Sequence, residues 1–238
     1  MQNSLRIFVG YDPREAEAYS VARESIRARL SQPVRINGVV LDGLKAKGLY
    51  RRPTEVRNAK LWDCISEAPM STEFAISRFL VPHLAGSQGW AVFMDCDVLC
   101  RTNLVRILDH ADPAKAVMVV KHDYAPSSSV KMDGQEQTRY ARKNWSSVML
   151  FNLEHVSNVN LTVDLINSVP GRDLHRFCWL KDDEIGELPP EWNFLVGHTD
   201  PKINPKIVHF TEGGPWMAGY ENVSFADEWR GERNRWAA

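Results

Sequence analysis

The sequence predicts an α/β protein built on a parallel sheet, and two observations carry that prediction. The run Trp90-Ala91-Val92-Phe93-Met94 is unbroken apolar sequence, the signature of a strand buried on both faces. Near the N-terminus a strand-like segment, an amphipathic helical segment and a second strand-like segment follow one another, a β-α-β unit that implies a right-handed crossover.

In chain order, Arg6 to Val9 reads as the first strand, closed by Gly10. A helix follows over roughly Arg14 to Leu30, with Ala18, Ala22, Ile26 and Leu30 spaced on one face and Glu15, Glu17, Arg23 and Arg27 on the other. Val34 to Leu41 suits the second strand. Between Asp42 and Met70 periodicity weakens, and this stretch reads as a long connection with little regular structure. Ser71 is placed to cap a helix running to about Val81, which Pro82 ends or kinks. Gly86 and Gly89 punctuate the turn into the apolar run. A short helix near Leu104 to Asp109, a strand from Ala116 to Val120 and a buried strand over Val148 to Phe151 come next. The polar stretch from His122 to Asn144 between the last two is long enough for a lid or substrate loop. Leu161 to Val169 looks helical, and Lys206 to Phe210 forms a final strand. The tail from Phe225 to Ala238 is charged and Trp-dotted, and is expected to pack peripherally. Neither a repeat nor a linker interrupts this order, so residues 1–238 read as a single domain.

Bulk properties narrow the function. The 238 residues are 44% hydrophobic and 25% charged, ordinary for a globular protein. Lys and Arg total 29 against 30 Asp and Glu, and no basic tract stands out, which argues against nucleic acid as a partner. No apolar stretch approaches the length of a transmembrane segment, and Met1 to Arg6 lacks a secretory apolar region. The four cysteines, Cys64, Cys96, Cys100 and Cys178, form no CxxC pair and read as free thiols of a cytoplasmic protein.

The chemistry concentrates after the apolar run, where Asp95 and Asp97 follow directly. In open α/β sheets ligands bind beyond the carboxyl ends of the strands. Two carboxylates one residue apart can share a hard divalent ion, Mn²⁺ or Mg²⁺, which keeps positions open for phosphate oxygens. His209 ends a strand and is either a structural hydrogen-bonder or a third ligand. Gly213-Gly214 follows it as a turn whose N–H groups are able to approach phosphate. Arg78 is a solvent-facing charge or a cation aimed at a ligand. Asp182-Asp183-Glu184 is a solvated cluster or part of a pocket wall. Tyr11, after Gly10, either stacks on a base or covers the sheet edge.

Five segments, in chain order, resemble the nucleotide-sugar glycosyltransferases of the GT-A fold, nearest to the glycogenin and galactosyltransferase type of family 8. They are Val9-Gly10-Tyr11-Asp12, the stretch Ser71 to Pro82 with its Arg78, Phe93 to Leu99 with Asp95 and Asp97, Leu188-Pro189-Pro190-Glu191-Trp192-Asn193, and His209 to Trp216. The resemblance implies a single Rossmann-like domain with a mixed, mainly parallel sheet flanked by helices. By it, Asp95, Asp97 and His209 are metal ligands and Arg78 contacts the donor. Gly10, Tyr11 and Asp12 lie by the nucleotide, Gly213 and Gly214 by the phosphates. Asp182 and Asp183 fall near the Asp-Gln pair that faces the transferred sugar. Three departures stand out: Asp183 replaces Gln, the last motif lacks its Lys, and Trp145-Ser146-Ser147 stands where Asn-Ala-Gly is expected. Arg142 or Lys143 is then the cation over the phosphate.

The resulting expectation is metal-dependent transfer of a sugar from a nucleoside diphosphate, UDP first, to a glycan or other hydroxyl acceptor with retention. Were the reaction inverting, Asp183 is the candidate base. The alternatives are a haloacid-dehalogenase-type phosphatase with Asp95 as nucleophile, and a non-catalytic nucleotide-sugar binder.

Overall fold

β1 (Leu5–Gly10), α1 (Ala16–Arg27) and β2 (Ile36–Val39) form the expected opening unit, with β1 and β2 paired in parallel. The α1 face carrying Ala18, Val21, Ala22 and Ile26 is buried, which is the face its spacing marks. This computed structural model describes residues 5–123 and 142–237. Most of the expected lid between His122 and Asn144 therefore lies outside the described residues.

The stretch from 42 to 70 is more regular than its sequence implies. α2 (Leu41–Ala46) is followed by three antiparallel strands, β3 (Thr54–Arg57), β4 (Lys60–Asp63) and β5 (Ala68–Pro69). The β3–β4 hairpin turns at Asn58 and Ala59, both at positive φ (50° and 60°). That turn geometry matches the twist of a two-residue hairpin. Glu55, Val56 and Arg57 are all exposed, so no buried face left a period-2 pattern to read.

The expected Ser71–Val81 helix is likewise replaced. Turns over 71–76 lead into a 3-10 turn (Ser77–Leu80) and α3 (Val81–Ala85). Pro82 stands in the first turn of α3, where a missing N–H costs nothing, so it starts a helix instead of ending one.

Seven further strands and three helices complete the described frame. β6 (Trp90–Met94) is buried throughout, and β7 (Val98–Cys100) leaves it after a three-residue bend. β8 (Val117–Val119) and β9 (Val148–Asn152) precede α4 (Val163–Ile166) and α5 (Gly171–His175). α4 is shorter than the expected Leu161–Val169 helix, because Thr162 caps it and Asn167 bonds back to the Val163 carbonyl. β10 (Ile185–Glu187), β11 (Phe194–Leu195) and β12 (Ile207–His209) follow, then α6 (Ala226–Ala237).

The largest sheet has the order β10-β8-β9-β6-β1-β2, and only β9 runs against its neighbours. It is mixed and mainly parallel. β12 lies outside it, between β11 and β7 in a second sheet. α6 packs on α1 and buries Trp229 with Val21, Leu99, Val208 and Phe210 in an apolar cluster separate from the main core. No described helix is long and apolar enough to cross a membrane.

Candidate functional site

β6 delivers Asp95 and Asp97 to the carboxyl edge of the sheet. The Asp95 N–H continues the ladder with β9 by donating to the Ser147 carbonyl at 2.9 Å. Alternation then turns Cys96 the other way, where its buried thiol donates to Glu15 at 3.5 Å. Burial pushes that thiol well above its ordinary pKa, so it is a packed group without nucleophilic character. All four cysteines are free thiols.

Strand register brings in the distant histidine. β12 pairs antiparallel with β7 so that His209 opposes Val98, and the Phe210 N–H donates to the Asp97 carbonyl at 2.9 Å. His209 Nε2 consequently lies 3.3 Å from Asp97 Oδ2, and ligand atoms of Asp95, Asp97 and His209 fall within 4.8 Å of one another.

The residue that orients His209 is Asn193, fully buried, which sequence reasoning passed over. Its amide nitrogen lies 2.9 Å from Ser147 Oγ and 3.3 Å from the Asn144 carbonyl, so its oxygen faces His209 Nδ1 at 3.0 Å. Nδ1 therefore donates to Asn193, which leaves Nε2 turned toward Asp97. An imidazole nitrogen 3.3 Å from one carboxylate, with a second carboxylate nearby, is an arrangement able to take a cation. Two carboxylates and this imidazole form a donor set able to hold a divalent ion. The Leu-Pro-Pro-Glu-Trp-Asn segment was the available signal for Asn193.

Arg78 is buried inside the site, not solvent-facing. Its guanidinium lies against the Phe74 and Phe93 rings, 5.2 and 5.1 Å from their centroids. Nη1 donates to the Ser146 carbonyl at 2.9 Å and sits 2.8 Å from Asp95 Oδ1. The cleft above these groups has a volume of about 1400 Å³, and its walls include Lys143, His175, Arg176, Gly213 and Trp216. His175 is a second unanticipated member. Burial and the nearby Arg78 charge lower its pKa to about 3, so the ring is neutral.

The remaining expected site residues are placed as follows. Gly10 ends β1 beside β6, and the Phe74 ring lies 2.5 Å from where a Cβ would stand. Glycine is required there by packing. Tyr11 meets Tyr19 edge-on at 5.0 Å. Asp12 is fully buried and accepts from Arg14 and from the Glu73 N–H. Burial would raise its carboxyl, and those bonds outweigh burial and hold it below the usual range. The Gly213 N–H is already given to the Phe210 carbonyl at 3.0 Å, and the Trp216 ring covers Gly214. Asp182 and Asp183 do not enter the cleft. They lie in a 3-10 turn (Asp182–Glu184) closed by the Lys181 N–H bonding to Glu184, which leaves both exposed. Asp182 pairs with Arg142, whose guanidinium also faces the Trp145 ring, and the Asp183 carbonyl holds Lys115.

No protein-family model matches the chain. Among solved structures, the apo WbbM bifunctional glycosyltransferase superposes with a TM-score of 0.62 at 15% identity, covering 98% of this chain and 50% of that one. This chain thus spans half of WbbM. GlyE of Streptococcus pneumoniae gives 0.61 at 12% identity, over 97% of this chain and 61% of that one. The galactosyltransferase LgtC, in complex with donor and acceptor sugar analogs, gives 0.57 at 14% identity, over 97% and 95%. These likenesses establish the GT-A fold. Protein CDI of Arabidopsis thaliana is 46% identical over 233 residues, 96% of this chain and 85% of that protein. Identity of that extent makes the chain a member of the family of Arabidopsis Protein CDI, built on the GT-A glycosyltransferase fold.

Proposed function

We propose that this protein is a metal-dependent glycosyltransferase that moves a sugar from a nucleoside diphosphate donor, UDP-linked, to a glycan or other hydroxyl acceptor with retention. The observation that carries this reading is the convergence of Asp95, Asp97 and His209 within 4.8 Å, at the carboxyl end of β6 and on the wall of the cleft.

Those three residues would hold Mn²⁺ or Mg²⁺, which when bound neutralises charge on the departing diphosphate. Arg78 holds Asp95 in place and offers its remaining N–H donors to the donor sugar or phosphate. Lys143, on the cleft wall, takes the part of the motif Lys that this chain lacks. Tyr11, just past the β1 edge, flanks the nucleobase. In the transfer, the bond from the anomeric carbon to the phosphate oxygen breaks and the bond to the acceptor oxygen forms. The acceptor's proton passes to the departing phosphate, so no side-chain base is assigned. Asp182 and Asp183, exposed outside the cleft, have no catalytic part in this scheme.

The phosphatase alternative is not retained. It needs Asp97 as an acid–base group, and here Asp97 is engaged with His209 Nε2 on a GT-A frame.

The decisive experiment is a thermal-shift and turnover screen of UDP-, GDP- and CDP-sugars with and without Mn²⁺. A donor at about 100 times its Kd stabilises by about 2.7 kcal/mol. At roughly 2–4 °C per kcal/mol, that raises the midpoint by about 5–11 °C. Asp95→Asn and His209→Ala should abolish the Mn²⁺-dependent part. If no nucleoside diphosphate binds in the presence of Mn²⁺, the reading fails; tight binding without turnover points to the binding-protein alternative.

A further inference from the structure

The dipeptide Ser146-Ser147, which replaces small residues of the family pattern, touches both arms of the Asp95, Asp97, His209 cluster. Both serines are 3% exposed and precede β9. On the first arm, the Ser147 carbonyl accepts the Asp95 N–H at 2.9 Å. The Ser146 carbonyl accepts Arg78 Nη1 at 2.9 Å, the same nitrogen that lies 2.8 Å from Asp95. Ser146 itself is tied down from behind, its Oγ 2.7 Å from His175 Nδ1. The His175 ring is neutral and bonded to the Ala75 backbone, so Ser146 is the donor in that contact.

The second arm runs through the Ser147 side chain. Its hydroxyl donates to the Asn144 carbonyl at 2.7 Å and accepts the Asn193 amide at 2.9 Å. Asn193 then receives the His209 Nδ1 proton at 3.0 Å. Backbone bonds thus serve Asp95 and a hydroxyl serves His209, from one pair of residues. A ligand that is oriented by a buried partner loses roughly 10–100-fold in metal affinity when the partner is removed.

We propose that Ser146-Ser147 is the positioning element that fixes Asp95 and His209 relative to each other, with the Ser147 hydroxyl as the group that sets the His209 ring. The inference rests on the metal reading for its consequence, and on hydrogen bonds alone for the coupling itself. Alanine at 147 keeps the backbone bond to Asp95 and takes the hydroxyl out of the arm to His209, leaving the Asn193 amide with its longer 3.3 Å bond to the Asn144 carbonyl, so it separates the two.

The test uses the full chain and its Ser147→Ala, Asn193→Ala and double variants. Two quantities are read: Mn²⁺ affinity by calorimetry, and the His209 ring tautomer by nitrogen-15 NMR without metal. Ser147→Ala is expected to raise the Mn²⁺ Kd about 10-fold and to convert the single Nδ1–H tautomer into a mixture. Asn193→Ala should do at least as much, and the double variant should add little to it, since the two act in series. A Ser147→Ala protein with wild-type tautomer and Mn²⁺ affinity overturns the proposal, as does full additivity in the double variant. If the wild-type chain binds no Mn²⁺, the metal reading fails, and the tautomer measurement still decides the coupling.

Discussion

Substituting Arg52 by Met should remove a large share of the stability of this protein. Arg52 and Asp63 are 0% and 1% exposed at their side chains. The guanidinium grips the carboxylate through Nε–Oδ1 at 2.8 Å and Nη2–Oδ2 at 2.6 Å. Its Nη1 also donates to the Ile166 and Val169 carbonyls, at 2.6 and 2.8 Å, at and beyond the end of α4. Met of similar length fills the space but leaves a buried carboxylate with only Ser66 to satisfy it, and two carbonyls without these donors. Each unsatisfied group costs about 1–3 kcal/mol, and breaking a buried pair typically costs about 3–5 kcal/mol in total. We expect a loss in that range, read as a shift in the urea midpoint by tryptophan fluorescence. A domain of this size would lose roughly 6–20 °C in its thermal midpoint. The Arg52→Met, Asp63→Leu double variant should recover most of the loss, because no buried charge remains. A single-variant cost below about 1 kcal/mol, or a double variant less stable than either single, would refute the reasoning. The consequence extends to the cleft, since Asp63, Ser66 and Gly171 share its wall and Ser66 Oγ accepts the Gly171 N–H at 2.8 Å.

Other outcomes follow from the same contacts. Arg78→Lys should slow transfer about 10–100-fold with little change in folding, because an ammonium cannot serve Ser146 and Asp95 while packing against two rings; unchanged kcat/KM would count against its role. Gly10→Ala drives a methyl into the Phe74 ring and should cost about 1–3 kcal/mol in urea unfolding. Trp229→Ala should cost about 3–5 kcal/mol and change the emission of Trp216, whose ring lies 5.2 Å away. Acid should destabilise the fold from about pH 6.5 downward, because burial lowers His122 and His175 to about 3. Below pH 6.5 the unfolded chain takes up protons that these rings refuse, at most about 1.4 kcal/mol per pH unit for each. Near pH 4 and below, Asp12 and Asp63 add to the loss, since their folded carboxyls are held below the ordinary range and their stabilisation vanishes on protonation. A urea midpoint that is flat between pH 7 and 5 would contradict the histidine assignment.

Much of the frame is legible in the sequence. α1 could be read because it buries one face, and burial imprints a period on the local sequence, while β1, buried from Ile7 to Gly10, shows as an apolar run. β6 was the clearest case: buried on both faces, it admits no polar residue until it leaves the sheet, and its end therefore marks Asp95 and Asp97. β8 and β9 could be read for the same reason. The β3–β5 sheet could not, because its strands bury no continuous face and are held by a hairpin turn and the Arg52–Asp63 pair. Pro82 misled because the same residue ends one helix and begins another, and only the surrounding chain distinguishes the two.

Within the site, the sequence by itself determined that two carboxylates stand at the mouth of a buried strand. It also supplied a histidine at the end of another. Tertiary structure decided that they meet, through the antiparallel register of β12 on β7. It also turned Asp182 and Asp183 outward, buried Arg78, and recruited Asn193, Ser147 and His175. The division has a physical cause. Local pattern records how much of a residue water touches, whereas which partner a buried polar group finds depends on strand register and on loops distant in the chain.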